Sequence, residues 1–73
     1  MQHKTGAVVY VNDKPIGYGG ESIYELLRSL GIDPERPGVA VAVNAEVIPR
    51  SEWRVRRLGH GDRVEVVHAV SGG

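Results

Sequence analysis

The sequence predicts a small α+β domain in which five short strands form a sheet and one main helix packs on one face of it. Short β-branched runs bounded by turn residues recur along the chain, as is typical of strands. Only one segment has apolar residues at helical spacing, and a single short helix can cover one face of a small sheet. With 73 residues, 41% of them hydrophobic, the chain can form one modest core, so we expect one domain over residues 1–73.

The first two strands are predicted to form a hairpin after a loose extension over residues 1–6. Ala7–Val11 is apolar on both faces, which indicates a central strand. Asn12-Asp13 is typical of a turn, and Lys14–Tyr18 is expected to return as the second strand. Because proline cannot donate to a strand ladder, Pro15 places this second strand at an edge of the sheet.

The helix is predicted to begin after Ser22, which has capping-box spacing to Glu25. Apolar residues then recur at the spacing of one helix face: Ile23, Leu26, Leu27 and Leu30. Gly31 is expected to end the helix in a left-handed conformation. The segment Asp33–Gly38 contains two prolines and is predicted to be a loop.

Three further strands follow the helix in the prediction. Val39–Val43 alternates large and small residues and is expected to be the third strand. Asn44-Ala45 turns the chain into a short fourth strand, Glu46–Ile48, which Pro49 closes. The last strand is predicted over Arg63–Val70, after a glycine-rich turn at residues 59–62.

Side-chain alternation predicts which residues of the last strand face the helix. We expect Val64 and Val66 to pack against it, and Val67 to lie on the open face of the sheet. Joined to Ile48 or Tyr10, Val67 would form an apolar docking patch; alone it would be an ordinary exposed residue. One helical turn is expected over Ser51–Val55, with Trp53 as a buried anchor.

Composition argues against several classes of function. Nine basic and nine acidic residues give zero formal net charge, which disfavours nucleic acid as the main partner. The chain has no cysteine, so any persulfide it uses must belong to a partner, and a reducing cytoplasm suits it. No apolar run reaches the length of a membrane span, and the first six residues have no apolar signal core. We therefore expect a cytoplasmic protein.

Chemically reactive side chains are few in the sequence. The three histidines have no metal-ligand spacing to one another or to other ligand residues, and the carboxylates show no obvious catalytic pair. We therefore expect no metal site and no catalytic residue. The arginines between positions 50 and 63 make that segment locally basic, which is typical of a solvated surface and, alternatively, of a docking patch for an acidic protein.

The most informative stretch is the last four residues, Val70-Ser71-Gly72-Gly73, which we expect to be a flexible tail. Glycine costs much entropy to order, so a terminal Gly-Gly contributes little to stability. It has no side chain to obstruct entry into a narrow slot, and four extended residues reach roughly 14 Å. The tail therefore suits delivery of the Gly73 carboxylate into a partner's active site, although a frayed end would look the same.

A free carboxylate needs activation before it can react as an acyl donor. An ATP-using partner would convert the Gly73 carboxylate into an acyl-adenylate, with AMP as the leaving group. A sulfur nucleophile would then give a thiocarboxylate, whereas a lysine or cysteine of another protein would give a conjugate. In each case the partner supplies the base, the metal ion and the electrophilic stabilisation.

The order of elements together with Gly72-Gly73 resembles the ubiquitin-like β-grasp fold, whose five-stranded sheet is mixed. Within it, Val43–Trp53 contains a Val-Asn turn, an Ile-Pro-Arg sequence and a tryptophan three residues after the arginine, and is similar to the ThiS family of sulfur carriers. Gly61–Val67 also resembles the Gly-Asp turn of that family into its last strand. The resemblance covers Ala7–Gly73; residues 1–6 and the proline-rich loop depart from it.

The resemblance implies a carrier that is not itself an enzyme and holds no permanent cofactor. A ThiF-type enzyme would adenylate Gly73 with ATP and magnesium, a donor system would supply sulfur derived from cysteine, and the thiazole synthase ThiG would take it from the thiocarboxylate. Val70–Gly73 would thread into each partner's active site. The neighbouring sheet face would dock, with Val67, Ile48 and Arg50 as candidate contacts.

Three alternatives remain open from the sequence. The molybdopterin-synthase subunit family MoaD shares the fold and the tail, but usually has prolines where this chain has His68-Ala69-Val70. A ubiquitin-like modifier, or a carrier that also serves tRNA thiolation, would use the same activated carboxylate. An interaction module whose Gly-Gly has no chemistry would have the same fold.

Overall fold

The computed structural model describes residues 6–69, and the predictions for residues 1–5 and 70–73 lie outside this range. The elements, in chain order, are β1 (Val8–Val11), β2 (Lys14–Gly17), α1 (Ile23–Ser29), β3 (Val39–Val43), β4 (Glu46–Val47), a 3₁₀ turn (Arg50–Glu52) and β5 (Arg63–His68). The strands form one sheet in the order β2-β1-β5-β3-β4. Only the β1–β5 pair of this sheet is parallel. The predicted mixed five-stranded sheet with one helix is therefore confirmed.

Both hairpins turn through two residues that have positive φ. These residues are Asn12 (φ 49°) and Asp13 (φ 71°) in the first hairpin, and Asn44 (φ 51°) and Ala45 (φ 71°) in the second. Positive φ at both turn positions matches the right-handed twist of the flanking strands. The hairpin strands β2 and β4 lie at the two edges of the sheet. The predicted edge position of the strand that contains Pro15 is therefore confirmed.

The helix begins after Ser22, as the sequence predicts, and ends at Ser29, just before the predicted apolar position Leu30. The Ser22 hydroxyl accepts a hydrogen bond from the Glu25 N–H at 3.2 Å. Gly31 has φ +81° just beyond the helix. Ile23, Leu26 and Leu27 are buried, and Leu30 packs partly buried against them.

The core lies between the helix and one face of the sheet. Alternate residues of the central strands are buried there: Val9, Val11, Val39, Val41, Val43, Val64 and Val66. Trp53 completes this core with 2% of its surface exposed, and its indole Nε1–H donates to the Ile48 carbonyl at 3.0 Å. The predicted orientation of Val64 and Val66 and the predicted burial of Trp53 are confirmed. In the range 6–69 no helix is long and apolar enough to cross a bilayer.

Candidate functional site

The strand that leads toward the predicted tail, β5, is held on both of its sides. It pairs with β1 from Tyr10↔Arg63 to Val11↔Val64, and with β3 from Val43↔Val64 to Val39↔His68. Beyond the last pair, the Ala69 N–H donates to the Gly38 carbonyl at 2.7 Å. The structure therefore positions the chain as far as Ala69. The predicted covalent site Gly73 and the predicted tail residues Val70, Ser71 and Gly72 lie outside the described range.

Asn12 extends the pairing of β5 on the β1 side. Its amide Nδ2 donates to the Val66 carbonyl at 3.2 Å, and its Oδ1 accepts from the Val66 N–H at 2.9 Å. A side-chain amide thus replaces the next backbone peptide of β1. Sequence reasoning assigned Asn12 to the turn only. The clue it missed is that a side-chain amide has the same donor and acceptor pair as a peptide group.

The sheet face opposite the helix carries an exposed apolar patch. Strand pairing places Val67 beside Ala40 and Val47 beside Ala42, and these four residues define what we call the valine patch. Val67 is 59% exposed and Val47 is 72% exposed. The predicted exposure of Val67 is confirmed, whereas its role in docking stays a prediction.

Polar residues border the valine patch on the β1 side. Tyr10, Asp13, Arg63 and Glu65 line a groove there that reaches Val67 of the patch. The Arg63 guanidinium lies 5.6 Å from the centre of the Tyr10 ring and 3.7 Å from an Asp13 carboxylate oxygen. The open face therefore combines an apolar centre with charged margins, which is the usual composition of a protein interface.

Ile48 does not belong to this face, so the prediction that it lies on the exposed docking face is wrong. It is only 2% exposed, and its N–H donates to the Val41 carbonyl at 2.9 Å. The two-residue turn pairs Val43 with Glu46 and Ala42 with Val47. Because side chains alternate between faces, Val47 points to the open face and Ile48 to the core. The register of the turn could have identified Val47 from the sequence.

Arg50 has a structural role that the sequence did not indicate. Its guanidinium donates to the carbonyls of Pro34, Arg36 (3.2 Å) and Val39 (3.0 Å), and lies 4.6 Å from the centre of the Trp53 ring. These contacts give a physical reason for the Pro-Arg-x-x-Trp sequence, since the arginine joins the buried tryptophan to the loop before β3. The docking role predicted for Arg50 stays a prediction, but both terminal nitrogens of its guanidinium already donate to carbonyls within the chain.

The other arginines of the basic segment also have partners inside the domain. The pairs are Arg54 with Glu35 (2.9 Å), Arg56 with Glu52 (3.7 Å), Arg57 with the Gly20 carbonyl (2.7 Å) and Arg63 with Asp13 (3.7 Å). Most of these side chains are exposed, so each ion pair contributes little to stability. Their pairing favours the interpretation of a solvated surface over that of a separate docking patch.

The part of the chain that the structure describes brings no group of three metal-ligating side chains together. His60 instead has a local role, because its Nδ1 accepts a hydrogen bond from the Val8 N–H at 3.0 Å. Residues 6–69 place the end of a strand that is paired on both sides beside an exposed apolar patch.

This architecture is that of a ubiquitin-like β-grasp protein. The model of the ThiS family matches residues 9–73. The chain is 38% identical over 66 residues to the sulfur carrier protein ThiS of Thermus thermophilus, covering 90% of this chain and all of the relative. It is 32% identical over 54 residues to the sulfur carrier protein ThiS of Escherichia coli, covering 74% of this chain and 79% of the relative.

A solved structure agrees with these sequence relatives. The crystal structure of the thiamine biosynthesis protein ThiS from Geobacter metallireducens superposes with a TM-score of 0.73 at 30% identity, over 90% of this chain and 99% of that one. The chain belongs to the ThiS family.

Proposed function

We propose that this protein is a sulfur carrier for thiamine biosynthesis and that its reacting group is the carboxylate of Gly73. The observation that carries the proposal is the similarity to the Thermus thermophilus sulfur carrier, which spans the whole of that relative. The family match also extends through Gly73. On this proposal the chain is a co-substrate of partner enzymes and not itself an enzyme.

The proposed chemistry is adenylation of the carboxylate followed by sulfur transfer. A ThiF-type enzyme uses ATP and magnesium to join the Gly73 carboxylate oxygen to the α-phosphorus of ATP, releasing pyrophosphate and leaving an acyl-adenylate. A sulfur nucleophile from the donor system then attacks the acyl carbon. The carbon–sulfur bond forms and the bond from carbon to the AMP oxygen breaks. Where the nucleophile is a persulfide of the donor, the product is an acyl disulfide, and a thiol attacks the donor's sulfur in it. This breaks the sulfur–sulfur bond, supplies the two electrons, leaves the donor in a mixed disulfide and frees the thiocarboxylate, from which ThiG takes the sulfur.

The described residues support the role of presenting the carboxylate to these partners. No group of three metal-ligating side chains comes together among them, and on this proposal the partner supplies the catalytic groups. The described residues do provide the valine patch next to the end of β5, where Val67 is 59% exposed. We propose this patch as the surface on which the adenylating enzyme and ThiG dock, with residues 70–73 entering the active site.

The proposal is tested by the intact mass of the purified protein after incubation with a ThiF-type enzyme, ATP, magnesium and a sulfur donor. We expect a gain equal to sulfur minus oxygen, located at Gly73. Higher-mass adducts on other proteins would indicate a modifier instead. An unchanged mass, in a reaction in which a known ThiS protein is converted, would contradict the carrier role.

Variants of the last two residues locate the reaction. Deleting Gly73, or replacing Gly72 with phenylalanine, should abolish the mass gain, because the terminal carboxylate is drawn back by one residue or its entry is obstructed. Thermal unfolding is the control, since we expect both variants to fold like the unmodified chain. A full mass gain in the Gly73 deletion would contradict the assignment of the reacting group.

A further inference from the structure

The loop before β3 contacts the chain just past the end of β5. Gly38 accepts a hydrogen bond from the Ala69 N–H at 2.7 Å. Gly38 has φ +91°, and a Cβ at this position would lie 3.0 Å from the Ala69 carbonyl oxygen and 3.3 Å from the Ala69 Cβ. The backbone conformation therefore favours glycine, and a Cβ would fit only if Ala69 moved by a few tenths of an ångström. No other glycine in residues 6–69 combines a positive φ with so close a contact.

The loop that carries Gly38 is held from inside the domain. The Asp33 carboxylate accepts from the Glu35 N–H at 2.9 Å, and Arg50 donates to three carbonyls between Pro34 and Val39. Arg50 in turn lies over Trp53, which is buried. The loop that contacts Ala69 is thus connected to the core by the hydrogen bonds of Arg50 and by its stacking on Trp53.

We propose that Gly38, held by the loop that Arg50 braces, is a positioning residue that fixes the direction in which the chain leaves the sheet at Ala69. This inference rests on the proposed carrier function, in which the residues beyond Ala69 must enter a partner's active site. Gly38 lies outside both the predicted tail, Val70–Gly73, and the ThiS-like segment Val43–Trp53.

The expected effect on function follows because the Gly38–Ala69 contact lies close to the valine patch. Ala40, which pairs with Val67 in the valine patch, is only two residues from Gly38. A partner seated on the patch would therefore receive the chain at an angle set by the Gly38–Ala69 contact. Reaction rates depend steeply on the placement of reacting groups, and a misplacement of about 1 Å costs up to roughly a hundredfold in rate.

The test compares Gly38→Ala with Gly20→Ala. Gly20 has a similar φ of +95°, but a Cβ there meets nothing within 4 Å, so the control carries the same backbone strain without the contact. With a ThiF-type enzyme, carrier-dependent ATP–pyrophosphate exchange gives kcat and KM for each variant. We expect Gly38→Ala to lose about tenfold or more in kcat with KM little changed, and Gly20→Ala to keep the kcat of the parent.

A second measurement needs no partner enzyme and separates this inference from the proposed function. The Ala69 amide should exchange with solvent faster in Gly38→Ala than in the parent or in Gly20→Ala, measured relative to the core amides of each protein. If the Ala69 amide exchanges equally in all three proteins, Gly38 does not fix the exit and the inference is wrong. Failure of the parent chain to be activated, by contrast, contradicts the proposed function.

Arg50→Lys provides a variant that does not alter a glycine. It keeps the positive charge but loses the planar fork that reaches several carbonyls at once. We expect the same pattern as in Gly38→Ala, with a smaller loss of kcat and a smaller rise in Ala69 exchange. If Gly38→Ala and Gly20→Ala have the same kcat, or if the loss in Gly38→Ala lies entirely in KM, the positioning role is refuted.

Discussion

Replacing Trp53 with alanine should be among the most destabilising single changes in this domain. The side chain is 2% exposed, its Nε1–H donates to the Ile48 carbonyl at 3.0 Å, and the Arg50 guanidinium lies 4.6 Å from its ring centre. Alanine removes all three interactions. It also leaves a cavity beneath the 3₁₀ turn and takes the donor away from the Ile48 carbonyl.

The magnitude can be compared with the stability of the whole domain. Truncating a buried tryptophan to alanine costs about 3–5 kcal/mol, which already includes the cavity. A domain of 73 residues has about 4–11 kcal/mol of total stability by the usual value per residue. The variant is therefore expected to lose about a quarter of its stability or more, and a domain at the lower end of the stability range would not fold.

Urea unfolding followed by far-UV circular dichroism measures the effect without relying on the fluorescence of Trp53. Trp53→Phe is the matched variant, because it keeps an aromatic ring under Arg50 and loses the indole donor, at a cost of about 1–3 kcal/mol. A loss below about 1 kcal/mol in Trp53→Ala would refute the assignment of Trp53 as the core anchor. Equal losses in the two variants would show that the hydrogen bond, and not the packing, dominates.

Three further predictions concern the open face and the two turns. Val67→Arg should raise KM for the adenylating enzyme while changing the free energy of unfolding by less than about 0.5 kcal/mol. The control is Val55→Arg, at a site that is 73% exposed and away from the sheet face, which should leave KM unchanged. Asn12→Gly keeps a positive φ but removes both side-chain bonds to β5, so thermal unfolding should show a loss of about 1–3 kcal/mol, and an unchanged Tm would contradict the role of the amide. Ala45→Gly should raise Tm, because alanine at φ +71° costs about 1 kcal/mol that glycine avoids, and a lower Tm would contradict this account of the turn.

Much of the fold could be predicted because local sequence signals agreed with the tertiary arrangement. Val39–Val43 was predicted with the bounds that the structure shows, since its alternation of valine and alanine matches one buried and one open face. Ser22 and Gly31 marked the two ends of the helix by their capping chemistry. Pro15 marked an edge strand because it lacks an N–H group.

The candidate site was harder to predict because its geometry depends on register and on long-range contacts. Ile48 was assigned to the wrong face, since its orientation follows from pairing across the Asn44-Ala45 turn and not from its own neighbours. The contacts of Asn12 with β5 join residues 54 positions apart in the chain. Arg50 was interpreted as a surface charge because no local pattern indicates that an arginine will bind the carbonyls of a distant loop.

The two edges of the sheet bear on how the protein behaves when it is concentrated. Val11 and Lys14 flank the two-residue turn and form a hydrogen-bonded pair, so the next pair, Tyr10↔Pro15, is not hydrogen-bonded. The backbone nitrogen of Pro15 therefore points away from β1, and it has no hydrogen to donate to a neighbouring molecule. At the opposite edge, β4 is only two residues long. Strand-by-strand growth into fibrils is therefore blocked at one edge and has little template at the other, so the exposed valines need not make the protein prone to aggregation.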